Sequence, residues 1–269
     1  MQTKWAGKNL HYYECIESTN TTLAGLAMQG ACHGTLVVAD RQTAGRGRRG
    51  RSWESPAGKN VYFSLLLRPA FTPDKASMLT LVMACAVTRG IEQVLGENAG
   101  MAADFLELSK PQIKWPNDIL LNQKKICGIL TELHISPGNA DEYSVIVGVG
   151  INVKAQEFPE DIAGKAGSIE ELTGVSLSRK RLTQSIMSAF ETCYELFEAD
   201  GDLSSLMDEY NGRLINKDSQ VKVLDPKGEF TGVARGINAA GELLVELPDG
   251  SVTAVYAGEV SVRGTCGYV

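Results

Sequence analysis

Three stretches of this 269-residue chain gather charged, amide and glycine residues in patterns that could do chemistry. The first, Gln42 through Asn60, contains Gly45-Arg46-Gly47-Arg48-Arg49-Gly50, a literal G-x-G-x-x-G. That pattern binds a pyrophosphate only when a strand feeds the glycines and a helix opens on the last, so that helix amides meet the phosphates. Residues 35–39 read as the strand. The next residues, Arg51-Ser52-Trp53-Glu54-Ser55-Pro56-Ala57-Gly58, bring a proline, another glycine and no apolar stripe. The arginines also cannot make the close helix-sheet contact that the third glycine exists to allow. No G-x-x-x-x-G-K-[ST] occurs, so a Walker A loop is excluded as well. Residues 41–59 are therefore expected to form a long, basic, glycine-jointed loop. The second stretch, Lys114 to Glu132, holds Lys114-Trp115-Pro116-Asn117-Asp118 and then Lys125; the third is Gly148-Val149-Gly150-Ile151-Asn152.

Taken one at a time, each feature has a plain structural alternative. Ser18 and Thr19 read as a helix cap, and the arginine cluster as a solvated loop or a weak nucleic-acid patch. Residues 115–118 read as a strand end and turn, Lys125 as a hairpin lysine and Asn152 as an amide that ends a strand. Met78, Met83 and the apolar stripe over 178–199 belong to core packing. Nothing marks any of the six cysteines as an exposed, low-pKa thiol.

Positioning such residues requires a scaffold, and the chain is long enough for one large unit and a small one. Strands are expected at 10–16, 61–67, 112–115, 126–134 and 143–153, with helices at about 19–29, 74–95, 178–199 and 203–214. A capping box at Ser168-Ile169-Glu170-Glu171 starts a further short helix. Hairpin links at 122–125 and 136–141 favour a mixed sheet over a doubly wound parallel one. Beyond Asn216 come short strands, at 221–223, 230–237, 243–247, 252–255 and 259–262. Turn signals such as Pro226-Lys227-Gly228 and Asp249-Gly250 separate them, the pattern of a compact β-barrel. Net charge is -6, so the chain carries no general field for nucleic acid or membrane surfaces. The three histidines and scattered cysteines show no metal-ligand spacing, and no protein metal site is expected. Reduced thiols fit a cytoplasmic protein, the N-terminus has no apolar leader, and the apolar run at 79–87 is too short to span a bilayer.

Read together, in order and spacing, these motifs resemble the biotin-protein ligase family. The resemblance is carried by Ser18-Thr19-Asn20, by Gln42 followed by GRGRRGR and W-x-S-P-x-G-x-N-x-Y, by KWPND, by Lys125 before Gly128-Ile129-Leu130, and by Gly150-Ile151-Asn152. It implies an α+β fold: a catalytic domain over 1–216, built as a mixed sheet backed by helices, and an SH3-like domain over 217–269. It implies two steps, formation of biotinyl-5'-AMP from biotin and ATP with Mg²⁺, then transfer to a lysine of a biotin carboxyl carrier protein. The biotin carboxylate is itself the nucleophile, so positive charge and positioning are what the protein must supply. Matching motif positions assigns Ser18, Thr19, Asn20, Gln42, Arg46, Gly47, Arg48 and Lys125 to biotin. Arg51 is assigned to phosphate, Trp53 to covering the ligand, and Asn117 and Asp118 to orienting nucleotide, metal or incoming amine. Asn152 is assigned to adenine; Lys125, Arg48 and Asp118 form the catalytic set. With about nine residues before the first strand, a DNA-binding domain of the kind some relatives carry is not expected. Homodimerisation through a sheet edge stays open. The alternatives are a lipoate ligase or octanoyltransferase on the same fold, and a biotin sensor without turnover.

Overall fold

In a computed structural model of the chain, residues 2–98, 109–136, 139–225, 228–258 and 260–264 are described. A seven-stranded mixed sheet organises the larger part, in the order β1-β2-β3-β7-β6-β5-β4. Its strands are β1 (Leu10–Ile16), β2 (Leu36–Gln42), β3 (Val61–Leu67), β4 (Gln112–Lys114), β5 (Asp118–Leu121), β6 (Lys124–Ser136) and β7 (Asn139–Ile151). Only β1 and β2 are parallel, joined by the crossover helix α1 (Thr19–Met28). Every residue of β3 is buried because both faces of the sheet are covered. On one face Val37, Leu66 and Ile146 meet Leu23 of α1. On the other, Phe63, Leu65, Val145 and Val147 join the main core with α2 (Met78–Glu97) and α5 (Arg179–Asp200). The two-residue period of a strand separates these sets. Leu23 is fully buried; truncating it to alanine would cost about 2–5 kcal/mol and loosen α1.

Helix ends follow local chemistry. Ser168 accepts from Glu171 N at 3.4 Å to open α4 (Ile169–Thr173), and Gly174 closes it at φ 71°. Ser178 caps α5 and Gly201 ends it at φ 73°. Helices α3 (Glu160–Ala163) and α6 (Ser204–Arg213) complete the set among the described residues. The Arg213–Glu92 and Arg89–Glu209 ion pairs tie α6 to α2. The apolar run expected to be too short for a bilayer is part of a longer element. Residues 73–97 have the length and hydropathy for a span, yet 78% of the most apolar window is buried inside the protein.

The last strands, β8 (Gln220–Asp225), β9 (Gly228–Ile237), β10 (Leu243–Glu246), β11 (Val252–Val255) and β12 (Ser261–Gly264), form the small all-β unit that the turn signals announce. They pair as an antiparallel sheet in the order β11-β10-β9-β8-β12, with β11 and β12 as its end strands. This small sheet shares the main hydrophobic cluster through Val221, Val223, Ala234 and Val245. Trp115 Nε1 also donates to Gly241 O at 3.0 Å across the junction. Departures from the expected elements are local. Trp115-Pro116, a cis peptide, leads into a strand that begins at Asp118. Strands β6 and β7 are longer than their apolar cores, because hairpin pairing carries them past the last buried position. Residues 137–138 of the expected 136–141 link, Pro226-Lys227, Glu259 and Cys266 lie outside the described residues.

Candidate active site

Cross-strand register places the site. On the α1 face, Leu66, Ile146 and Glu132 form one row across β3, β7 and β6; Ser64, Gly148 and Leu130 form the next. Tyr62, Gly150, Gly128 and Asp118 form the third, reaching β5. Side chains directly opposite in register share a face, so Leu66 and Ile146 under α1 give way to Ser64, Gly148, Gly150 and Gly128, and a hollow opens. No side chain fits where the glycines are. A Cβ on Gly148 would overlap the Asn20 carboxamide, one on Gly150 the Trp53 indole, and one on Gly128 would sit 2.9 Å from Trp53 Cζ3.

The N-terminus of α1 walls one side. Ser18 precedes the helix but makes no side-chain cap bond. The cap comes from β2: Gln42 Oε1 accepts from Thr19 N at 2.8 Å and from Thr19 Oγ1 at 3.1 Å. Gln42 Nε2 donates to Ser55 Oγ at 3.0 Å, and Ser55 donates to Trp53 O at 2.9 Å, linking helix to loop. The Ser64 hydroxyl donates to Asn20 Oδ1 at 2.5 Å, while Asn20 Nδ2 donates to Glu132 Oε2 at 2.6 Å. No sequence motif singles out Ser64 or Glu132, since their roles come from register.

Over the hollow lies the arginine loop, more ordered than its composition implies. Gly47 N donates to Arg51 O at 2.7 Å and Trp53 N to Gly45 O at 2.9 Å, making a small hairpin with Arg49 at φ 59°. Arg46 pairs with Glu132 at 2.9 Å. Arg48 Nη1 donates to Asn117 Oδ1 at 2.8 Å, and its Nη2 donates to Gly258 O at 2.5 Å and Val260 O at 3.2 Å, in the small sheet's last loop. Burial pulls the Arg48 pKa below its ordinary value, and Asp118 opposes that pull; a guanidinium stays charged nonetheless.

Lys125 closes the third side. Its Nζ lies 2.6 Å from Asp118 Oδ1 and 5.3 Å from the Trp53 ring centroid. A register shift between β5 and β6 and the bonds Lys125 N to Lys165 O (2.7 Å) and Gly167 N to Lys125 O (3.1 Å) fix its backbone. Together these groups border a cleft partly open to solvent, lined by Ser18, Thr19, Asn20, Gln42, Arg46, Gly47, Arg48, Trp53, Asn117 and Lys125. Asp118 touches the cleft through Lys125, whereas Arg51 and Asn152 do not line it. Asn152 is buried, and its Nδ2 donates to Gly167 O at 3.0 Å. Such a cleft can offer donors and acceptors to a small polar ring at one end and cations to anions at the other. Among the described residues no group of three or more His, Cys, Asp or Glu could hold a metal ion.

Comparison with known proteins agrees with this geometry. Residues 12–152 match the Biotin/lipoate A/B protein ligase family, and residues 218–263 match the Biotin protein ligase C terminal domain. The bifunctional ligase/repressor BirA of Bacillus subtilis is 37% identical over 266 residues, covering 97% of this chain and 76% of the relative. The biotin--[acetyl-CoA-carboxylase] ligase of Mycobacterium tuberculosis is 30% identical, covering 90% of this chain and 85% of the relative. The biotin protein ligase from Aquifex aeolicus, solved in complex with biotin and ATP, superposes with a TM-score of 0.79 at 30% identity, over 96% of this chain and 100% of that one. By motif, fold and cleft, this chain belongs to the biotin protein ligase family.

Proposed function

We propose that this biotin protein ligase activates biotin with ATP in the cleft over Gly128, Gly148 and Gly150, and hands the biotinyl group to a lysine of a biotin carboxyl carrier protein. The observation that carries the assignment of residues is Lys125. Its ammonium lies 2.6 Å from Asp118 and 5.3 Å from the Trp53 ring centroid, in a cleft also lined by the Thr19 hydroxyl and the carboxamides of Asn20 and Gln42. The ureido ring needs donors and acceptors at once, which hydroxyls and carboxamides provide. In the first step a biotin carboxylate oxygen bonds to the α-phosphorus and the bond to the leaving pyrophosphate breaks. Arg46, Arg48 and Lys125 offset the charge that two anions bring together. Lys125 acts as a mobile point charge there, since its ammonium follows the reacting oxygens more freely than a planar guanidinium. In the second step the acceptor amine bonds to the acyl carbon, AMP leaves, and the amine proton passes to solvent.

Mg²⁺ fits as a companion of the triphosphate. Such ions keep several waters and take ligands from substrate phosphates, so a cleft whose described residues hold no cluster of their own can still use one. When bound, it neutralises phosphate charge. Trp53 packed on the glycine floor excludes water from a mixed anhydride that would otherwise hydrolyse. Incubation with ATP, Mg²⁺ and biotin should yield biotinyl-AMP by mass spectrometry. Its absence, or equal turnover of lipoate or octanoate, would reject the assignment.

A further inference from the structure

Among the described residues, Lys114 is the strongly buried lysine on the site face of the sheet that the proposed chemistry leaves without a role. It is 5% exposed, on a central-sheet edge strand where a charged residue gains nothing from burial unless it meets an opposite charge. Register supplies that charge. Lys114 of β4 stands opposite Asp118 of β5, and Asp118 stands opposite Gly128 of β6. The floor row therefore runs on as Tyr62, Gly150, Gly128, Asp118, Lys114, all on one face. Asp118 thus lies between two lysines, Lys114 across the strand pair and Lys125 at 2.6 Å. The Asp118 side chain is 14% exposed and that of Lys125 26%.

We infer that Lys114 is a positioning residue, a fixed counter-charge that holds the Asp118 carboxylate in place while the more accessible Lys125 ammonium moves to the reacting anions. Without it, departure of Lys125 would leave a nearly buried carboxylate facing fewer cations, and that penalty would be charged to the transition state. The neighbouring charges fit the assignment. Lys114 senses Asp118 from β5, Lys125 from β6, Arg51 from the loop and Arg263 from β12; Asp118 in turn acts on Arg48 and on Tyr210 of α6. Burial, aided by the three cations, pulls the Lys114 pKa down to about 8 against the pull of Asp118, which still leaves it mostly charged at neutral pH.

The inference rests on the adenylation reading, and a mutant cycle separates the two. Lys114→Met should lower kcat for biotinyl-AMP formation by about 10- to 100-fold while KM for ATP and biotin moves less than about threefold. Lys114→Arg should recover much of that loss. In an Asp118→Asn background, Lys114→Met should cost less than about twofold, because the residue acts through Asp118. Melting curves check that each variant folds. A rise in KM for ATP at constant kcat would make Lys114 a nucleotide ligand and overturn the inference, as would equal losses in both backgrounds, or no loss at all. A wild-type enzyme that makes no biotinyl-AMP would overturn the reading of function itself and this inference with it.

Discussion

Gly128, Gly148 and Gly150 form a floor on which any added side-chain atom would meet a neighbour already in place, whereas the loop over 45–53 rests on it through the Trp53 indole and a few polar contacts from Arg46 and Arg48. The floor is set by register across three strands, and each glycine is shadowed by a side chain already in place. Arg46 keeps 45% of its side chain exposed while pairing with Glu132, and Arg48 reaches carbonyls more than 200 residues away in sequence. Fixed strands beneath and reversible contacts above suit a reactive intermediate that must be shielded and then released.

Mutations should separate these two halves. The largest effect is expected where they meet: Lys125→Ala should cut adenylate formation by about 10²–10³-fold with an unchanged circular dichroism spectrum. A near-normal rate would remove Lys125 from the chemistry. On the floor, Gly150→Ala forces the indole of Trp53 away. It should cost about 1–3 kcal/mol of stability and weaken biotin binding, measured by calorimetry. Unchanged binding would mean that Trp53 does not cover the ligand. On the loop, Arg48→Ala should leave the adenylation rate within about tenfold but release the adenylate early, seen as label on unrelated proteins when carrier is absent. Strict retention would contradict a closing role. Cleavage by protease within 45–58 should slow when biotin and ATP are added together. The smallest effect is expected for Glu132→Gln, which removes a partly exposed pair with Arg46 and should change stability by less than about 1 kcal/mol.

Sequence alone carries the mixed sheet and most of the helices, because their signals are local: alternating apolar residues and caps. Most of the cleft follows from the order and spacing of motifs that resemble one family, since each motif by itself has a plain structural reading. Thr19, Asn20, Gln42, Arg46, Arg48, Asn117 and Lys125 do converge. What escapes depends on pairing between distant strands. Ser64 and Glu132 look ordinary in their own segments, and Lys114 stands in the KWPND motif with no role of its own; all three acquire roles only when register sets them beside Asn20, Arg46 and Asp118. Ser18 shows the reverse case, since it has the residue type of a cap while Gln42 holds the position. Motif position assigns Asn152 and Arg51 to the nucleotide, yet neither lines the cleft; Asn152 braces Gly167, whose own amide bonds to the Lys125 carbonyl. The carbonyls that meet Arg48 have no signature at all, because any residue presents a backbone oxygen.

The chain has three tryptophans, and they sit in unlike surroundings. Trp5 lies edge-on to Tyr194, and Trp115 is anchored to Gly241 in the core. Trp53 alone stacks over the floor, with an ammonium 5.3 Å from its ring. Replacing Trp5 and Trp115 by phenylalanine would leave a single tryptophan, and its emission, excited at wavelengths the tyrosines do not absorb, would follow each opening of the cover in real time, with no dye attached.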